Sequence, residues 1–111
     1  MKIDFSTVLR DPDDFSKEAK DPKGVLVTLG VIARTALNVE LQDERRSGED
    51  KYAAYKLADR IRNASSAIDV KVDQVTLIKQ RIGKAYPPAI MGQCWDLLEP
   101  PAVEPEGEKA A

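Results

Sequence analysis

The sequence predicts a mainly α fold. About four helices form one compact domain, with a short N-terminal β-strand or hairpin and a disordered C-terminal tail. Three observations predict it. Four stretches carry apolar residues three and four apart between recognisable start and stop signals. Residues 2–9 alternate apolar and polar instead. From Pro100 onward the chain turns to Pro and Glu with one Val and three Ala, too little apolar surface to order itself. The domain is therefore expected over residues 1–99 and the acidic tail over 100–111.

In residues 2–9, Ile3, Phe5 and Leu9 fall on one face with Thr7 between them, while Asp4 and Ser6 point away. Asp11-Pro12-Asp13-Asp14 is a turn signal, because proline fixes φ and aspartate bonds its own backbone. Residues 10–24, with four Asp, two Pro and Gly24, are expected to be a loop. Val25-Leu26-Val27 is a candidate second strand that pairs with the first. An isolated ribbon of two strands is marginal in water, so it must pack on the helices.

Thr28 is a good N-cap for a first helix over about residues 29–40, with Leu29, Ile32, Ala33, Ala36 and Leu37 as its apolar stripe. Residues 41–48 are polar and break the pattern. Ser47 and Asp50 have capping-box spacing, so a second helix runs from there to about Asn63. Ala54, Leu57, Ala58 and Ile61 form its inner stripe, flanked by Tyr52 and Tyr55. Residues 63–69 are a connector in which Ile68 and Val70 can add a little extended chain. The third helix starts near Val72, with Asp73 in its first turn and Val75, Ile78 and Ile82 facing inward. Gly83 falls at its end, and Tyr86-Pro87-Pro88 stops it. Pro88 opens a fourth helix, striped by Ile90, Cys94, Leu97 and Leu98, with Met91 and Trp95 adjacent.

Composition narrows the chemistry. The 111 residues include no histidine and one cysteine, Cys94. That removes the commonest general base, a zinc site of the usual Cys and His kind, an internal disulfide, and any nucleophile activated by histidine. No phosphate-loop or dinucleotide motif occurs. Asp11, Asp13 and Asp14 begin like a calcium loop, but Ser16 and Pro22 stand where its Gly and Glu are required. The pairs Asp43/Glu44 and Glu49/Asp50 lie in the most polar stretch and read as capping and solubility. The expectation is a chain that is not an enzyme and has no catalytic residue, no cofactor and no metal.

Net charge is −2. Residues 99–111 carry four glutamates against one lysine, which leaves the rest near neutral. The basic excess of a nucleic-acid binder is missing, so Lys79, Arg81 and Lys84 are expected to be the solvated side of the third helix. Cys94 is expected to be a buried, inert thiol. Ile90, Met91, Trp95 and Leu98, on the most apolar helix, are the candidate partner-binding residues, since Trp and Met are enriched at interface cores. No apolar run is long enough to cross a bilayer, and no signal peptide opens the chain, so an intracellular protein is expected.

The string Leu77-Ile78-Lys79-Gln80-Arg81-Ile82-Gly83-Lys84-Ala85-Tyr86, continued by Pro-Pro-Ala-Ile-Met-Gly-Gln-Cys-Trp-Asp-Leu-Leu-Glu, resembles small proteins of tailed-phage and prophage genomes. Residues 2–9, 27–30 and 47–51 share in the resemblance, which covers most of 1–99 and carries no catalytic motif. It implies a phage origin and an accessory or assembly role in the host cytoplasm, of which small helical tail-assembly chaperones are one class. The expected partner is a phage structural protein or a host protein. A homo-oligomer is compatible with this reading, and neither a membrane nor, by preference, nucleic acid is expected. The alternative is a small phage regulator or inhibitor of a host protein, or a nucleic-acid-binding protein.

Overall fold

Asp4 is where the first strand stops. Its carboxylate accepts Ser6 N at 2.9 Å and Ser6 Oγ at 2.5 Å, an Asx turn that takes the chain out of extended geometry. In the computed structural model, which describes residues 1–41 and 44–99, β1 is therefore only Lys2–Ile3. Lys2 and Ile3 do not pair with residues 25–27, but the end of the 2–9 stretch does reach them: Val8 and Thr28 form an antiparallel bridge, with Leu9 N donating to Val27 O. The antiparallel partner of β1 is β4, Ile68–Asp69, in the connector between the second and third helices (Lys2↔Asp69, Ile3↔Ile68).

The stretch expected to be a loop holds a hairpin. β2 (Arg10–Asp11) and β3 (Asp14–Glu18) pair antiparallel around the Asp11-Pro12-Asp13-Asp14 turn. All five residues of β3 are exposed, so no alternation marked it. The segment 25–27 instead joins a small knot of chain. Leu9 N donates to Val27 O, Val27 N to Ala19 O, and Ala19 N to Leu9 O, each at 2.9 Å. Gly24, at φ +85°, makes the turn that brings 25–27 back.

Four helices follow, so the mainly α class holds. α1 is Leu29–Asn38, capped by Thr28 Oγ1, which accepts Val31 N at 3.2 Å. Its first amides are also satisfied: Leu29 N donates to Thr7 O and Gly30 N to Phe5 O. A Cβ on Gly30 would sit 3.0 Å from Phe5 O and 3.4 Å from Ile61 Cγ2, so glycine allows this approach. α2 is Gly48–Arg62, with Ser47 Oγ accepting Asp50 N at 3.0 Å. α3 is Val72–Ala85 and α4 is Pro88–Leu98, with Pro88 in the first turn as its fixed φ favours.

α1 is the central element. Leu29, Gly30, Ile32, Ala33, Ala36 and Leu37 are buried, because α2 covers one side of the helix and α3 another, while α4 packs on α3. Phe5 and Leu9 from the N-terminal segment, Leu57 and Ile61 of α2, Ile78 and Ile82 of α3, and Cys94 and Leu98 of α4 complete one continuous core. α1 ends at Asn38, before the expected residue 40. Among the described residues no helix is long and apolar enough to cross a membrane. The tail expected over 100–111 lies outside the described residues, as does Asp43.

Candidate interaction surface

The fourth helix spends its apolar residues on the fold. Leu98 and Cys94 are each 0% exposed, and Ile90 and Met91 are half-buried against the core. Trp95 is half-buried across α3. Its indole Nε1 donates to Lys79 O at 3.1 Å, its ring approaches Gly83, and Lys79 Nζ lies 4.5 Å from a ring centroid. The four candidate residues do lie together on one helix. Leu98, however, has no surface to offer a partner, and Trp95 is already the fastener between α3 and α4. Burial pushes the Cys94 thiol up to about 12, which leaves it unreactive.

The basic residues of α3 are not a solvated face. Only Lys84 is open, whereas Arg81 is 3% exposed. Arg81 Nε donates to Ala36 O at 3.0 Å, Nη2 to Val39 O at 2.6 Å, and Nη1 to Glu44. Arg46 adds bonds to Leu37 O and Val39 O, both at 3.1 Å. Two guanidinium groups thus hold the last carbonyls of α1, where the helix dipole is negative and no intrahelical donor remains. Val39, at the C-cap, is already in extended geometry. Glu44 is correspondingly not a solvated capping residue. Its carboxylate is half-buried among Arg81, Lys84 and Arg46, and the Arg81 hydrogen bond holds its pKa below the usual glutamate value.

The surface left for a partner lies on the other side of α1. At about 100° per residue, Tyr52 falls almost opposite the Ala54, Leu57, Ala58 and Ile61 stripe of α2, and Tyr55 well to its side. Tyr52 is 61% exposed and Tyr55 57%. Their rings stack with centroids 6.1 Å apart, and Lys56 Nζ lies 5.8 Å from the Tyr52 ring. Sequence reading treated both tyrosines as flanks of the core stripe. The same angular arithmetic, carried round the whole wheel, is the signal that finds them.

Beside the tyrosines runs a groove along the antiparallel seam of α1 and α2. Two depressions, about 210 and 100 Å³, share Arg34 and Arg62 as walls. One opens over Phe5, Gly30 and Ile61 with Ser6 and Ser66 at its rim, and the other runs between Asn38, Ala58 and Tyr55. Arg62 is paired with Asp59. Arg34, half-buried, is in no ion pair among the described residues. The described residues contain no group of three or more His, Cys, Asp or Glu placed to hold a metal ion. The arrangement suits reversible contact: two exposed aromatics with rigid rings, and a cation with unused donors.

No protein-family model matches the chain, and comparison with curated proteins and with solved structures returned no match.

Proposed function

We propose that this chain is a non-catalytic protein-interaction protein of phage origin, acting in the host cytoplasm as a tail-assembly chaperone or morphogenesis accessory protein. The observation that carries the interaction reading is the exposed, stacked Tyr52 and Tyr55 pair beside the Arg34 groove. Tyrosine and arginine are enriched among the few residues that dominate the energy of protein interfaces. Two tyrosines stacked in water have already given up rotamer freedom, so little more is lost on docking. The phage and assembly parts rest on the sequence resemblance alone. The absence of histidine from the whole chain supports a role without catalysis.

The test is affinity capture of the full chain from phage-infected cells, compared with a Tyr52→Ala/Tyr55→Ala variant. Recovery of a virion or tail protein by the parent, reduced about tenfold or more in the variant, is the expected outcome. Equal recovery by both proteins refutes the tyrosine face as the interface. Recovery of no phage structural protein refutes the assembly role.

A further inference from the structure

We infer that the α1–α2 groove is a receptor for an acidic, extended peptide segment of the partner protein, with Arg34 as the residue that takes its carboxylate. This rests on the tyrosine face of α2 being the partner surface, and it names the chemistry that surface reads.

The charge on Arg34 is the starting point. A half-buried guanidinium has lost part of its hydration, and here none of the ion pairs among the described residues includes it. The two parallel N–H donors of such a fork match one carboxylate closely. Its neighbour Arg62 is already neutralised by Asp59, so the groove presents one open positive charge. That favours a single Asp or Glu side chain over a polyanion. A phosphate backbone laid along this seam would also meet the carboxylate of Asp59.

The rest of the groove suits a peptide. Phe5, Ile61 and Ala58 provide apolar floor for aliphatic stems. Ser6 and Ser66 at one end and Asn38 at the other provide groups that can bond a peptide backbone. From Gly30 to Asn38 the seam runs about 12 Å at the helical rise. That is the length of roughly four residues of extended chain. Tyr55 closes the Asn38 end and joins the groove to the tyrosine stack.

The experiment titrates isotope-labelled full chain with a terminally blocked pentapeptide bearing one Glu flanked by valines, and with its Gln twin. A twelve-residue oligothymidylate serves as the competing class. Saturable amide shifts at Gly30, Arg34, Asn38 and Tyr55 with the Glu peptide are expected, with a dissociation constant in the range of about a millimolar. The Gln twin should bind about tenfold more weakly, and so should the Glu peptide to an Arg34→Gln variant whose spectrum remains folded. Equal binding of the Glu and Gln peptides to the parent chain overturns the inference without any variant. So do groove shifts caused by the oligonucleotide and not by the Glu peptide, or no groove shifts at all. If capture depends on the tyrosines while the Glu peptide does not bind, the interaction surface survives and the acidic-peptide inference alone fails.

Discussion

Two arginines next to α1 have opposite fates, and the contrast separates what holds this fold together from what it leaves open. Arg81 reaches in from α3, is 3% exposed, and is bonded to two carbonyls of the α1 end and to Glu44. Arg34 projects from α1 itself into the α2 seam and is in no ion pair among the described residues. The chain has few aromatics with which to build a core, only 5% of its residues. It uses a buried cation to tie α3, the end of α1 and the following loop together. The cation outside any ion pair among the described residues is on the other side, in the groove that Tyr55 also lines. A buried, bonded charge is part of the architecture, and the proposed interaction surface is built on the half-buried one.

The comparison breaks most visibly at Arg81. Arg81→Ala leaves the carbonyl of Ala36 without a side-chain donor, leaves that of Val39 to Arg46 alone, and leaves Glu44 half-buried without its main partner, so a loss of about 3 kcal/mol is expected in urea denaturation. A loss below about 0.5 kcal/mol would make the clamp ornamental. Gly30→Ala comes next. The gain in helix propensity, about 1 kcal/mol, is outweighed by a Cβ forced to 3.0 Å from the backbone oxygen of Phe5, leaving a net loss of about 1 kcal/mol. An unchanged or raised melting temperature would show that the N-terminal segment yields easily.

A smaller effect is set by pH. The folded-state pKa of Glu44 lies below the ordinary 4.5, chiefly because of the Arg81 hydrogen bond. Folding is therefore favoured by the ionised form. That stability is fully present above about pH 4.5 and is lost as pH falls through the lowered folded value. Denaturation midpoints followed down to about pH 3 should fall more steeply for the parent than for Glu44→Gln. Parallel curves would remove Glu44 from the acid response. Asp4 and Asp14, each lowered by bonds from the serine two residues on, contribute to the acid slope of both proteins equally.

What the sequence made legible follows the same division. Helices α2, α3 and α4 lie within a residue or two of their expected bounds, because caps and prolines are local signals: Ser47 caps α2, and Pro88 opens α4. The strands were legible only in part, the 2–9 stretch meeting 25–27 at Val8 and Leu9 alone, because their determinants are not local. The Asx turn at Asp4 cut an alternation that continued beyond it, and β3 has no buried face to alternate. Arg81 was read as solvated because only the spacing of Val75, Ile78 and Ile82 was visible. The carbonyls it bonds lie more than forty residues away, at the end of another helix. Trp95 and Leu98 were read as an interface because an apolar helix carries no mark of whether its own core consumes it. Tyr52 and Tyr55 were within reach of sequence reasoning, since their angle from the α2 stripe needs only the helical period.

The central claim is that Arg81 serves the fold and Arg34 does not. It is tested most directly by urea denaturation of Arg34→Gln beside Arg81→Ala and the parent chain. Arg34→Gln is expected to stay within about 0.5 kcal/mol of the parent while Arg81→Ala falls far below it. A loss at Arg34 equal to that at Arg81 would contradict the account, because it would make Arg34 a second structural clamp with no charge left for a partner.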